Sequence, residues 1–178
     1  MDFSIGQDVV HPAHGPGTIV DIEEKELVEG YHRFYVIKFV RNRLTVRVPL
    51  RRIEDIGVRK VMSKERCQGV LNILRALPEQ LHSDFKSRRH RVDELLHSGR
   101  PRQIAVAVRD LTWRKFEKHL TKADTEQLSK GREMLATEVA MSYNKEVHEA
   151  DKTIREAVAE AIAAKQALLL ENSEAEAV

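Results

Sequence analysis

The spacing of hydrophobic and polar residues changes once along the chain, between residues 57 and 62. Before that point apolar and polar positions alternate, as in residues 18–27, within short segments separated by glycine and proline. Glu29 and Gly30 have the composition of a hairpin turn, and Pro49 ends a later β-branched run. We expect four or five short strands, which predicts an SH3-like or Tudor-like small β-barrel over residues 1–59.

From Ser63 onward the hydrophobic spacing follows the helical period of 3.6 residues. Helix starts are predicted at five places: near Ser63, with Ser83 as N-cap, at Pro101, at Thr121 with Asp124 as a capping pair, and after Asn144. Residues 60–178 are therefore predicted to form a compact five-helix domain. The fold class that follows is α+β, with an N-terminal barrel and a C-terminal helical domain.

Composition and charge narrow the classes of function. A chain of 178 residues with 42% hydrophobic and 33% charged residues is typical of a folded protein, and no apolar run is long enough for a membrane span or a signal peptide. We expect a cytoplasmic protein in which the lone Cys67 is buried. The region from Glu146 onward has a net charge of −5 and the rest has +7, so a polyanionic partner suits the body of the chain.

The stretch from Ser83 to Arg91 combines one aromatic residue with a cluster of cations. Phe85 is followed by Lys86, Arg88, Arg89, His90 and Arg91. A flat apolar group beside cations is what a protein needs to neutralise phosphates while pressing a ring against bases. At the start of a helix, free backbone amides would also favour phosphate. The alternative is that Phe85 anchors the core and the cations form a solvated helix face.

Five arginines surround the last predicted strand of the barrel: Arg41, Arg43, Arg47, Arg51 and Arg52. They are interpreted either as a recognition edge for a carboxylate-bearing protein surface or as a basic edge strand that prevents aggregation. His11 and His14 lack companions at metal-ligand spacing, so we reject a metal site there. The single Trp113 is interpreted as a core residue rather than a platform for base stacking.

No catalytic motif is recognisable. The sequence has no phosphate-cradling glycine loop and no supported Ser/His/Asp or Cys/His arrangement, so we expect a protein that is not an enzyme and needs no cofactor. A small hydrolase that uses His11 and His14 stays as a minor alternative.

The order and spacing of several motifs resemble those of the CarD/CdnL family of bacterial RNA polymerase-binding transcription regulators. The resemblance covers residues 3–142. In the barrel it rests on IGQDVVHPAHGPG, FYVIK, LTVRVP and IGVR, and in the helices on FKSRRHR, LLHSG, IAVAVRDL and LSKGREMLATEVA. The barrel pattern is similar to that of the polymerase-interacting domain of transcription-repair coupling factors.

The resemblance implies two partners, the β lobe of RNA polymerase and promoter DNA. Lys25, Arg47 and Pro49 match polymerase-contacting positions, and Phe85 stands where the family commonly has a tryptophan that wedges into the minor groove at the upstream edge of the melted region. His90 stands where a lysine is frequent. The implied function is stabilisation of the open promoter complex. The alternative is a polymerase-independent, sequence-nonspecific architectural DNA-binding protein.

The remaining expectations concern the state of the protein in the cell. We expect a monomer that associates with the nucleoid through the polymerase, without a membrane partner or a small-molecule substrate.

Overall fold

A computed structural model describes residues 2–40 and 43–176 of the chain, and in these residues five strands are followed by five helices. The strands are β1 (Asp8–His11), β2 (Gly15–Val28), β3 (Tyr31–Phe39), β4 (Thr45–Pro49) and β5 (Arg59–Lys60). The helices are α1 (Lys64–Arg75), α2 (Phe85–His97), α3 (Pro101–Glu117), α4 (Lys122–Tyr143) and α5 (Val147–Glu176), and a short 3₁₀ helix spans Leu50–Arg52. The α+β fold class is confirmed.

The strands form one antiparallel sheet in the order β4-β3-β2-β1-β5. The predicted hairpin turn is present, and Gly30 supplies the positive φ of +81° that a side chain would disfavour. The order is linear, so the sheet is barrel-like but not closed. The reason is the length of β5: its two residues pair only with Val9 and Val10 of β1 and leave β4 as a free edge.

Each of the two units has its own hydrophobic core. The sheet core includes Val9, Ile19, Tyr35, Ile37, Phe39, Val48 and Ile53, and the helical core includes Val70, Leu74, Val92, Leu96, Leu111, Leu135 and Ile154. Cys67 is fully buried in the helical core, as predicted, and burial raises the pKa of its thiol. Trp113 is also buried, stacked on Phe116, which confirms its interpretation as a core residue.

Local sequence signals account for most helix boundaries. The Ser63 hydroxyl accepts a hydrogen bond from the Arg66 amide at the start of α1, and Thr121 and Asp124 form the predicted capping box of α4. Asn144 ends α4 in the left-handed conformation. One boundary prediction was wrong: the N-cap of α2 is not Ser83 but the next residue, Asp84.

The two units are joined by a partly buried ion pair. Arg59, at the end of the sheet, donates to both carboxylate oxygens of Glu138 in α4, at 2.5 and 3.0 Å, and its Nε donates to the Gly99 carbonyl. The Met62 amide also donates to Glu138, which is only 2% exposed. This link lies at residue 59, where the sequence predicts the boundary between the two domains. The division into separate domains stays a prediction.

Candidate nucleic-acid and protein interfaces

The aromatic residue of the Ser83–Arg91 stretch lies at the surface. Phe85 is the first residue of α2, immediately after the N-cap Asp84, and its side chain is 41% exposed. The Arg88 guanidinium carbon lies 5.8 Å from the centroid of the ring, a distance that allows a cation–π contact. The ring is thus held from within the helix while part of its surface is open to solvent.

Arg88 is buried, although we expected it to be one of the surface cations. Its side chain is 2% exposed, and its Nε and Nη2 donate to the two carboxylate oxygens of Asp124, each at 3.1 Å. Its Nη1 donates to the carbonyls of His82 and Ser83 at 3.0 and 2.9 Å. In this structure Arg88 is therefore not available to a DNA phosphate, because all three nitrogens are engaged inside the protein.

The carboxylate that receives Arg88 stays charged despite its burial. Burial raises the pKa of Asp124, but hydrogen bonds from Arg88 and Thr121 and the Arg88 charge outweigh it, so the net shift is downward. Asp124 also belongs to the capping box of α4. The pair therefore fastens the first turn of α2, which carries Phe85, to the first turn of α4.

The other predicted DNA-contacting cations are exposed on α2. Arg89, His90 and Arg91 expose between 57% and 79% of their side chains, and Lys86 is exposed as well. Each of the three faces an acid one turn later: Arg89 lies 3.8 Å from Asp93, and His90 and Arg91 lie 3.3 and 3.7 Å from Glu94. Exposed pairs of this kind contribute little, so they leave the cations available to a polyanion.

The start of α2 is less open to phosphate than expected. The Asp84 carboxylate accepts a hydrogen bond from the Ser87 amide at 2.8 Å, and this bond is the main reason that the pKa of Asp84 lies below its usual range. A carboxylate in this position occupies the place that an anion would take at the helix N-terminus. A phosphate at this place would therefore depend on side chains rather than on the helix end.

The three predicted polymerase-contacting residues share one region of the sheet. Arg47 lies opposite Val36 of β3, and Pro49 lies opposite Phe34, whose other neighbour is Glu23 of β2. Lys25 follows Glu23 by two residues on β2. The pairing therefore brings Lys25, Arg47 and Pro49 to neighbouring strands around Glu23.

Glu23 holds Arg47 in a bidentate ion pair. Arg47 Nε and Nη2 donate to the Glu23 carboxylate at 2.8 and 2.9 Å, while the arginine side chain stays 46% exposed. The hydrogen bond from Arg47 is the main reason that the pKa of Glu23 lies below its usual range; burial opposes it, and the charges of Arg47 and Lys25 lower the pKa further. Arg47 retains further N–H donors that a partner could use.

The structure describes three of the other four arginines of the predicted recognition edge. Arg43, Arg51 and Arg52 are exposed close to Arg47 in sequence, and Arg41 lies outside the described residues. The two interpretations of this edge, a recognition surface and a protected edge strand, both remain compatible with β4 as the open edge of the sheet.

The histidines of the β1–β2 turn contact each other and the sheet core. Their rings lie 4.6 Å apart and both contact Phe39, and His11 Nδ1 accepts hydrogen bonds from the Ala13 and His14 amides. Burial and the neighbouring His14 lower the pKa of His11 to about 4. Within residues 2–40 and 43–176 there is no group of three or more His, Cys, Asp or Glu side chains suited to a metal ion.

The burial of Arg88, though not its distant partner, could have been predicted from the sequence. Arg88, Val92 and Leu95 follow one another at spacings of four and three, which is the stripe that α2 buries. A cation on that stripe needs a buried acid, and Asp124, in the first turn of the fourth helix, is such an acid. Nothing local in the sequence indicates Glu138 as the partner of Arg59, which lies 79 residues away.

An open sheet with an ion-paired outer face is followed by a helical unit with an exposed ring among cations, so the protein offers two charged, exposed surfaces suited to binding. None of the helices in the described part of the chain is both long and apolar enough to cross a membrane.

Comparison with known proteins identifies the family. Residues 3–62 match the CarD-like/TRCF RID domain, and residues 69–155 match the CarD C-terminal domain. The chain is also 30% identical over 137 residues to the "Putative transcription factor YdeB" of Bacillus subtilis (strain 168), an alignment that covers 77% of this chain and 90% of the relative. The chain belongs to the CarD-like family of transcription regulators, which are transcription factors rather than enzymes.

Proposed function

We propose that this transcription regulator binds the β subunit of RNA polymerase through the outer face of β2, β3 and β4. In the same complex, α2 contacts promoter DNA at the upstream edge of the melted region and stabilises the open form. The membership in the CarD-like family supports a role in transcription, and the placement of the exposed residues supports the division of labour between sheet and helices.

The observation that carries the proposal is the exposed ring of Phe85. An apolar wedge must offer free surface to the bases and be held firmly on its other side. Phe85 meets both conditions, because 41% of it is exposed and the Arg88 guanidinium that lies against it is fixed by Asp124. A ring that were part of the helical core could not do this.

Lys86, Arg89, His90 and Arg91 supply the charge that holds DNA against the ring. Each cation that replaces a condensed counterion adds sequence-independent affinity that falls with salt. Phe85 and Arg89 lie one turn apart on α2, as do Lys86 and His90, so two rows of the helix present cations beside the wedge. His90 contributes a full charge only when protonated, which makes its contact the weakest of the four near neutral pH.

Arg47 is the central residue of the proposed polymerase contact. Its guanidinium is already oriented by Glu23, so little side-chain entropy is lost when its remaining N–H groups meet acceptors on a partner. Lys25 adds a second cation beside the same carboxylate, and Pro49 ends β4 with a rigid apolar surface. This combination fits a partner surface with carboxylates around a small apolar patch.

The two contacts act together through effective concentration. Once the sheet is bound to the polymerase, the helical unit is held near the promoter, so that weak DNA contacts are sufficient. A preference for open over closed DNA of about 1.4 kcal/mol shifts their ratio about tenfold.

The test measures the lifetime of open complexes formed by RNA polymerase with full-length variants. Phe85→Ala is expected to shorten the lifetime about tenfold without changing polymerase binding. The matched control is Phe116→Ala, because Phe116 is a similarly exposed phenylalanine, 54% accessible, at the end of α3. An unchanged lifetime with Phe85→Ala would remove the wedge from the proposal.

A second arm tests recruitment. Arg47→Glu is expected to abolish binding to the polymerase β lobe, whereas Arg155→Glu on α5 leaves it unchanged. If Arg47→Glu retains polymerase binding, the sheet interface is wrong. If the protein alters promoter opening to the same extent whether or not it can bind polymerase, the architectural DNA-binding alternative is correct instead.

A further inference from the structure

A cleft of about 960 Å³ lies between the sheet and the helical unit. One wall comes from Pro12, Ile56, Gly57, Arg59 and Met62, and the other from the first turns of α1 and from residues 98–103, which join α2 to α3 and begin α3. The cleft does not include Phe85 or the exposed cations of α2, and it does not include Arg47. It is therefore a site that the proposed function does not use.

Arginines dominate the charge of this cleft. Arg59, Arg66, Arg100 and Arg102 line it, and Glu65 is the only acid among the lining residues that the structure describes. Arg59 is engaged with Glu138, but the side chains of the other three arginines have no ion-pair or hydrogen-bond partner within the described residues. Three guanidinium groups that share one cleft with a single acid, Glu65, favour an anion with several oxygen atoms.

The rest of the lining is largely apolar. Half-buried Ile56, Pro12 and Pro101 contribute apolar surface, with the buried Met62 and Val70 behind them. Gly69 opens the wall of α1, since a Cβ atom built there would meet nothing within 4 Å. A simple inorganic anion would leave this surface unused. The occupant that suits the cleft has an apolar, flat part as well as a charged part.

The start of α3 adds to the anionic preference of the cleft. The N-cap Arg100 provides no side-chain hydrogen bond to the helix, Pro101 follows it, and the first turn contains no acid. This differs from α2, where Asp84 occupies the corresponding place. The positive end of the α3 dipole therefore lies beside the arginines of the cleft.

We propose that the cleft binds a nucleoside di- or triphosphate, with the phosphates on Arg66, Arg100 and Arg102 and the base on the apolar wall. The volume lies within the range of small-molecule sites, and guanidinium groups recognise phosphate in a planar two-point geometry. An acidic peptide would satisfy the charges but would leave the apolar part of the lining unused, whereas the base of a nucleotide can occupy it.

The position of the cleft gives the ligand a route to influence the protein. Residues of both units line it, and Arg59 belongs both to the cleft and to the ion pair that joins the units. A ligand there stabilises whichever arrangement of sheet and helices it binds more tightly. Binding itself requires neither polymerase nor DNA, so its failure and the failure of the proposed function are separate results.

The test is isothermal titration calorimetry on the full-length protein with ATP as the probe, in parallel with adenosine and inorganic pyrophosphate. We expect saturable binding of ATP with one site, and affinities for adenosine and pyrophosphate at least about tenfold weaker. The double substitution Arg66→Gln with Arg102→Gln is expected to weaken ATP binding at least about tenfold. Circular dichroism confirms that the helices of the variant are retained.

Two control variants locate the site. Arg155→Gln removes an exposed arginine of α5 and is expected to leave ATP binding unchanged. Arg89→Gln with Arg91→Gln removes two cations from the proposed DNA surface and is expected to leave it unchanged as well. Loss of ATP binding in this second variant and not in the cleft variant would overturn the site. Absence of saturable ATP binding, pyrophosphate affinity equal to that of ATP, or tighter binding of a polyglutamate peptide than of ATP would each overturn the nucleotide assignment.

Discussion

Replacing Arg88 by methionine tests whether this residue builds the helix end or binds DNA. Arg88 and Asp124 are 2% and 0% exposed, so the substitution leaves a buried carboxylate without its counter-charge. Breaking such a pair costs about 3 to 5 kcal/mol, and we take the lower value because Thr121 still donates to Asp124. For a chain of this size the midpoint of thermal unfolding should fall by roughly 6 to 12 °C.

The assay compares thermal unfolding of wild type, Arg88→Met and the neighbouring Arg89→Met, followed by circular dichroism. Arg89 is exposed, so its substitution should change stability by no more than about 0.5 kcal/mol while weakening DNA binding. In the double variant Arg88→Met with Asp124→Asn, no unpaired charge is left, and most of the lost stability should return. The reasoning is refuted if Arg88→Met unfolds like the wild type but loses DNA affinity as Arg89→Met does.

The stability difference between the wild type and Arg88→Met should depend on pH, because the pKa of Asp124 is lowered in the folded wild type. Hydrogen bonds from Arg88 and Thr121 outweigh burial and hold the folded pKa of Asp124 below that of the unfolded chain. The stability it contributes is therefore present above the unfolded pKa, near pH 4, and is lost as the pH falls through the folded pKa. In Arg88→Met the unpaired carboxylate can neutralise at a higher pH, so the gap between the two proteins should narrow on acidification.

Four further outcomes are expected. Phe85→Trp should lengthen the open-complex lifetime, because the indole adds ring area and an N–H donor; an equal or shorter lifetime in a promoter dissociation assay contradicts this. Arg47→Gln should weaken binding to the β lobe about tenfold in biolayer interferometry, and an unchanged Kd counts against the contact. Glu138→Gln should accelerate amide hydrogen exchange of residues 59–62, because Glu138 is the buried acceptor for that segment; wild-type exchange rates would argue against the link. The pKa of His11 is lowered from 6.5 to about 4, so folding disfavours its charged form. The urea midpoint of the wild type should therefore fall as the pH is lowered from 6.5 to about 4, and it should fall less for His11→Asn.

Elements whose cause is local were predictable from the sequence. The capping box of Thr121 and Asp124 depends on residues three apart, and the break at Asn144 on one residue, so both agree with the structure. The α2 boundary was missed by one position because serine and aspartate are adjacent at residues 83 and 84 and both are good N-caps. Asp84 is the N-cap in the structure, because its carboxylate accepts a hydrogen bond from the Ser87 amide.

Features that depend on distant residues were not predictable in the same way. Arg88 finds its acid 36 residues away, so a run of cations that reads as one surface is divided into four exposed residues and one buried anchor. Whether the barrel closes depends on the length of β5. A strand of two residues is too short to show an alternation of apolar and polar residues in the sequence. The cleft between the units is assembled from separate segments, because Arg59 and Arg66 come from one stretch of the chain and Arg100 and Arg102 from another more than 30 residues later.

The ion pair between Arg59 and Glu138 decides how the two proposed contacts work together. A flexible tether would hold the helical unit near DNA in many orientations, whereas a stiff one gives a high effective concentration only if its geometry matches the complex. Arg59 donates to Glu138 and to the Gly99 carbonyl, and Gly99 lies so close to Pro12 that an added Cβ would come within 3.1 Å of it. These contacts make the connection stiff. The orientation of Phe85 relative to the bound sheet is then a property of the folded protein, so loosening the pair at Glu138 should shorten the open-complex lifetime more than it weakens polymerase binding.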